Sequence, residues 1–167
     1  MKVNQKLYPR LFSRLKSAIQ REINNNYIII HKTKFKSNVG RALANKKWIK
    51  IPTITDLESI YIIFHEIAHV KFNHQDYSKK RNYMQELEAE EFSLKYLRKF
   101  NIHKDFSEEY HKIQERAINY VIQNIYYEIE NGLKFKDITR KALLFCKIKH
   151  NTRPVSTPLR KTNKKKK

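Results

Sequence analysis

The chain has 167 residues, 40% of them hydrophobic, a formal net charge of +20 and a single cysteine, Cys146. That length suits one domain with tails, and one cysteine excludes both a disulfide scaffold and a cysteine-based zinc cluster. No apolar run approaches the ~18 residues of a membrane-spanning helix, so the reading is of an intracellular, cytoplasmic protein with no membrane partner, or one in a host cytoplasm if a phage or virus encodes it.

The charge is concentrated at the two ends. Residues 1–21 carry Lys2, Lys6, Arg10, Arg14, Lys16 and Arg21 without an acid, and residues 138–167 carry eleven basic residues, again without an acid. Between them lies a nearly neutral body. Cationic ends attract polyanions through counterion release and without base specificity, so non-specific nucleic acid through the termini is an expected partner. No segment resembles a nucleic-acid reading motif.

Two glycines and four prolines give little punctuation, which favours long helices. Leu7, Leu11, Leu15, Ala18 and Ile19 recur at helical spacing, predicting a basic amphipathic helix over 7–23 that docks on the domain. Tyr27 to Phe35 is β-branched and aromatic and reads as a strand. After a loop at Gly40, residues 41–44 and 47–51 read as two short strands closed by Pro52. In the last, Trp48 and Lys50 face one way while Ile49 and Ile51 face the other. Asp56 is placed to cap a helix running to about Asn73. Further helices are expected over 82–100, over 106–131 with Gly132 as its stop, and over 135–148. The fold class is therefore α+β, mostly helical, with about three strands before the long apolar helix that Asp56 opens. The expected divisions are a basic N-terminal helix (1–26), one domain (27–150) and a disordered basic tail (151–167).

The chemistry is concentrated in Phe64-His65-Glu66-Ile67-Ala68-His69-Val70. Two histidines four apart on a helix project from one face, one turn apart, and their imidazoles can reach one zinc ion at ~2.0–2.1 Å. Glu66, beside the first histidine, projects next to the metal, where it can act as a general base. The helix is apolar nearly all round, so these polar groups are buried and need partners.

A catalytic zinc site takes three protein ligands and keeps one position open. Residues 86–92 supply the third. At 100° per residue Glu86 and Glu90 share a face with Tyr83, Leu87, Leu94 and Leu97, whereas Glu88 and Glu91 fall with Lys95 on the solvated side. Two carboxylates on an otherwise apolar face are anomalous. Glu86 is assigned as third ligand and Glu90 as acceptor to a ligand histidine. His74 follows His69 by five positions, against six in the extended HExxHxxGxxH pattern, so it is expected at the surface or near the cleft.

The HExxH segment, followed by Glu86 to Phe92 on the next helix and preceded by the Arg41–Pro52 strand pair, resembles the ImmA/IrrE family of zinc peptidases. These are gluzincin-like intracellular enzymes of bacteria, phages and mobile elements. The likeness spans about residues 27–100 and departs at Glu90, where the family carries Asn or Asp. It implies a small zincin-like metallopeptidase domain that is mostly helical with a short β-sheet. It further implies Zn2+ held by His65, His69 and Glu86, with Glu66 as base. Characterised members cleave DNA-bound repressors, so the implied function is hydrolysis of a protein substrate such as a DNA-bound regulator. A crosslink-type protease associated with DNA, or a nucleic-acid-binding protein with a structural zinc, are the other readings. A substrate is expected to add as a strand along Trp48, Ile49, Lys50 and Ile51. Tyr83, His103, Tyr110 and His111 are the candidates for stabilising the oxyanion.

Overall fold

A computed structural model describes residues 3–32, 40–74 and 82–147. The expected basic tail, 151–167, lies outside the described residues, as does the end of the strand expected through Phe35.

Chain order is α1 (Pro9–Asn25), β1 (Ile29–Lys32), β2 (Arg41–Leu43), β3 (Trp48–Ile51), α2 (Leu57–Lys71), α3 (Asn82–Lys99), a single turn α4 (Ile102–Asp105), α5 (Ser107–Glu130) and a short α6 (Arg140–Phe145). The α+β class is as expected: a mostly helical body beside one three-stranded sheet. The strand order is β1-β3-β2. β3 pairs in parallel with β1, in the register Ile29 to Trp48, and antiparallel with β2, in the register Leu43 to Trp48. Both of its edges are taken. The expectation that a peptide adds along Trp48–Ile51 is therefore corrected, because a strand with two neighbours has no unpaired backbone groups to offer. Among the described residues the bordering strands are β1 and β2.

α2 is the hub. Every residue from Leu57 to Val70 except Glu58 and His69 is buried, and the helix meets α1, α3, α5 and the sheet. It starts where the sequence places it: the Asp56 carboxylate accepts from Ser59 N–H at 2.9 Å while the Ser59 hydroxyl accepts from Asp56 N–H at 3.1 Å. This reciprocal cap satisfies two donors that would otherwise be orphaned. Around α2 the main core collects Phe12, Leu15, Ile49, Ile60, Ile63, Phe64, Ile67 and Leu97. Phe64 stacks on Tyr96 with ring centroids 4.2 Å apart. Burying one such side chain contributes about 1.5–3 kcal/mol.

A second cluster lies between the N-terminal half of α3, the C-terminal half of α5 and α6: Tyr83, Leu87, Val121, Ile125, Leu133 and Leu143. It explains why one helix over 135–148 does not form. Thr139 is extended, its N–H donates to the Tyr83 hydroxyl at 3.2 Å, and its own hydroxyl accepts from Ala142 N–H at 3.3 Å. That tertiary bond to Tyr83 leaves only a single turn at Phe135–Asp137 and starts α6 at Arg140.

The strand expected from Tyr27 starts two residues later, because Tyr27 belongs to the end of α1. It is left-handed, at φ 53°, and Ile28 N–H reaches back to Ile23 C=O at 2.9 Å while Tyr27 N–H reaches Asn24 C=O at 3.2 Å. This is a Schellman cap, which sets the residue two past the helix cap against one in its last turn. Here the pair is Ile23 and Ile28, both in the main core. The same paired bonds close α5 at Gly132, φ 98°, as the sequence indicates.

α1 is tied to α2 and α3 through its one acid. Glu22, buried in the interface, accepts from Lys71 Nζ at 2.8 Å, from Asn26 and from the Tyr96 hydroxyl. Burial alone would raise its pKa, but the bonds from Lys71 and Tyr96 hold it below the usual carboxylate range. A carboxyl with a depressed folded pKa contributes stability that is present above its unfolded pKa of ~4.3 and lost as pH falls through the folded value. Glu22→Gln is expected to lower unfolding free energy by about 1–3 kcal/mol at neutral pH, with a smaller loss near pH 3. Urea denaturation at both pH values checks this, and equal losses would remove the electrostatic role.

Candidate metal centre

Three polar atoms converge between α2 and α3. His65 Nε2 and His69 Nε2 lie 3.0 Å apart, one helical turn separating the residues. Glu86 Oε2, from α3, is 3.2 Å from the first and 3.5 Å from the second. Tetrahedral bonds of ~2.1 Å to one ion require donor atoms on the order of 3.4 Å apart, which these spacings match. Glu86 Oε2 is moreover buried without a hydrogen-bond partner, a costly arrangement unless a cation completes it. His65, His69 and Glu86 can thus hold a metal ion.

The electrostatics point the same way. Burial would raise the Glu86 pKa, yet His65 and His69 hold it down at about 2. Burial disfavours a charged His65, yet Glu86 and Glu90 overcome it and raise its affinity for a proton. The cluster is arranged around positive charge, whether a proton or a metal ion carries it.

Glu90 sits where the sequence reading puts it. Buried to 1% exposure, its Oε1 is 3.3 Å from His65 Nδ1 and its Oε2 accepts from the Tyr61 hydroxyl. Tyr61 lies one turn before His65 on α2, so Tyr61, Glu90 and His65 form a buttress behind the first histidine. The longer glutamate side chain comes this close to His65 Nδ1, which is nonetheless buried without a hydrogen bond.

Glu66 lines a cleft of about 180 Å³ together with Gly40, Tyr61, His65, Arg116 and Tyr120. Burial raises its pKa first, with Glu86 and Glu90 adding to the effect and His65 and His69 opposing it. Gly40 makes room for it: a Cβ there would lie 2.4 Å from Glu66 Oε1 and 2.5 Å from its Cγ, closer than any contact permits. The backbone just before β2 therefore lies against the proposed base.

Several assignments change. Tyr83 is fully buried in the second cluster, His103 and Tyr110 pack on each other at 6.0 Å, and His111 pairs with Glu115 on the exposed face of α5. None of the four lines the cleft. Tyr120 does, with its ring 5.9 Å from that of His65 and edge-on to it. Burial, reinforced by the charges of Glu86, Glu66 and Glu90, pushes its phenol up to about 12, so it keeps its proton. Arg116, one turn earlier, pairs with Glu58 of α2. Neither residue carries a local sequence signal, since α5 approaches α2 only through tertiary packing. Glu91 pairs with Lys141 of α6 at 2.5 Å, and Glu88 is 2.9 Å from His74. His74 is buried at 7% exposure instead of lying at the surface.

No protein-family model, curated protein or solved structure matches this chain. Among the described residues no helix is long and apolar enough to cross a membrane.

Purified protein is expected to carry one divalent ion per chain by elemental mass spectrometry. Glu86→Ala should lose most of it, since only two protein ligands remain. Full retention in that variant would remove Glu86 from the ligand set.

Proposed function

We propose that this chain is a zinc-dependent endopeptidase acting on a protein substrate, the activity implied by its resemblance to the ImmA/IrrE peptidases. The observation that carries the proposal is the division of labour among the buried groups. Two imidazoles and one carboxylate converge on one point, while a further carboxylate, Glu66, is not one of the three and lines the cleft. Two histidines and a glutamate with an open position are a donor set of catalytic zinc. A purely structural site closes with four ligands and needs no separate base.

Bound zinc supplies Lewis acidity, lowering the pKa of a water to ~7 and polarising the scissile carbonyl. Glu66 takes the proton of the attacking water and passes it to the leaving amine, a role for which its raised pKa and its buried place in the cleft wall suit it. Tyr120 donates its hydroxyl proton in a hydrogen bond to the carbonyl oxygen as negative charge develops there. The substrate adds as a strand to β2, whose N-terminal approach at Gly40 borders the cleft, in place of the enclosed β3. The cationic ends favour a substrate presented on a polyanion, a DNA-bound regulator among them.

A peptide library digested by zinc-loaded protein and read by mass spectrometry tests this. Glu66→Gln should keep its zinc and lose cleavage by on the order of 10²–10⁴-fold. Absence of cleavage by zinc-replete wild type, or undiminished cleavage by Glu66→Gln, would sink the peptidase reading. Tyr120→Phe is expected to retain zinc and lower kcat by roughly 10²–10³-fold with KM little changed. An unchanged kcat would return the oxyanion role to another group.

A further inference from the structure

The end of α2 carries a feature that the hydrolytic mechanism does not use. Asn73 is left-handed, at φ 54°. His74 N–H donates to His69 C=O at 2.8 Å and Asn73 N–H donates to Val70 C=O at 3.1 Å. These are the two bonds of a Schellman cap, the same motif that sets Ile23 against Ile28 at the end of α1. The motif brings together the side chains of the residue two past the cap and the residue in the last turn five positions before it. At the end of α1 that pair is apolar. At the end of α2 it is His69 and His74.

The side chains meet accordingly. His69 Nδ1 and His74 Nδ1 are 3.0 Å apart, and His74 Nε2 is 2.9 Å from Glu88 Oε2 of α3. One proton arrangement satisfies both of these contacts once His69 Nε2 faces a metal. His69 carries its proton on Nδ1 and donates it to the bare Nδ1 of His74, which carries its own proton on Nε2 and donates that to Glu88. Glu88, which when ionised can only accept, selects the His74 tautomer. His74 in turn selects that of His69.

We propose that Glu88 and His74 form a carboxylate–imidazole relay that positions His69 as a metal ligand, the counterpart of the Tyr61–Glu90 buttress behind His65. The proposal rests on the metalloenzyme reading above, and it adds that both ligand histidines are held from behind, each by a different device. Glu90 acts directly on His65 across the α2–α3 interface. Glu88 acts on His69 at one remove, through a histidine that a helix cap delivers. The HExxH helix thereby carries its own positioning residue five places after its last ligand. His74 and Glu88 are positioning residues; neither reaches the converging ligand atoms.

The test uses the full chain and the metals alone. Zinc affinity is read by competition with a chromophoric chelator, and ligand geometry by the visible spectrum of the cobalt-substituted protein. His74→Phe keeps an aromatic ring at the cap and removes the acceptor for His69. It is expected to weaken zinc binding by about 10–100-fold, to alter the cobalt bands, and to leave the melting temperature of the metal-free protein close to that of wild type. His74→Gln, which can still accept from His69, should recover part of the affinity. Glu88→Ala, a change at a partly exposed position, should weaken binding in the same direction and decides the matter should His74→Phe fail to fold. Wild-type zinc affinity and an unaltered cobalt spectrum in His74→Phe, or in Glu88→Ala if that variant has to stand in, would overturn the relay. A wild-type chain that binds neither metal would overturn the metal centre itself, an outcome visible before any variant is made.

Discussion

The enclosure of α2 is the constraint from which the rest follows. A helix buried on nearly every side cannot leave two imidazoles and a carboxylate unpartnered, because each unsatisfied polar group costs on the order of 1–3 kcal/mol. Yet His65 and Glu66 are buried in it, and His69 lies nearly so. The molecule meets part of that cost by placing acids on α3 against the histidines, and one carboxylate oxygen, Glu86 Oε2, stays buried without a hydrogen bond among atoms that could hold a cation. What stabilises the interior and what prepares it for a cation are the same set of contacts.

The site accordingly has packed polar partners on one side and a cleft on the other. On one side, Glu90 and Tyr61 lie behind His65, and His74 and Glu88 lie behind His69. On the other side, Gly40, Tyr120 and Arg116 bound the cleft that Glu66 faces. These two sides come from different elements, so their roles are separable. The α2–α3 interface brings together the atoms that could hold an ion, whereas the approach to β2 and the middle of α5 border the cleft beside them. Glu22, bonded to Lys71 near the end of α2, extends the first of these supports to α1. The N-terminal helix is thereby part of the same packed body, with Phe12 and Leu15 in the main core.

Much of this was legible in the chain. Asp56 capping α2, Gly132 ending α5 and the inward Ile49 are local effects of turn chemistry and of period-two or period-3.6 patterning. The pairing of Glu86 and Glu90 with the two histidines was legible too, because carboxylates on an apolar helix face have to be matched by something buried on a neighbour. Where the reading missed, a distant contact decided. Thr139 begins α6 late because its N–H is taken by Tyr83, a residue 56 positions away. Trp48–Ile51 became the middle strand because β1 pairs with it in parallel, across β2, and strand order is not written in strand patterns. His74 was placed by a left-handed asparagine whose cap converts a five-residue spacing into side-chain contact.

By itself the sequence determined the elements that depend on near neighbours: the α+β class, the two histidines one turn apart on α2, the carboxylate beside the first of them, and the α3 acids that face them. Each of these follows from the fixed geometry of a helix or strand, which any stretch of the right residues must obey. Only the tertiary structure decided which tyrosine faces the cleft, which strand borders the sheet, why Gly40 has no side chain, and that Glu88 is a partner of His74 in place of a solvated charge. Those depend on where whole elements come to rest against α2. That position is set by the summed packing of many side chains, and no short stretch of residues encodes it.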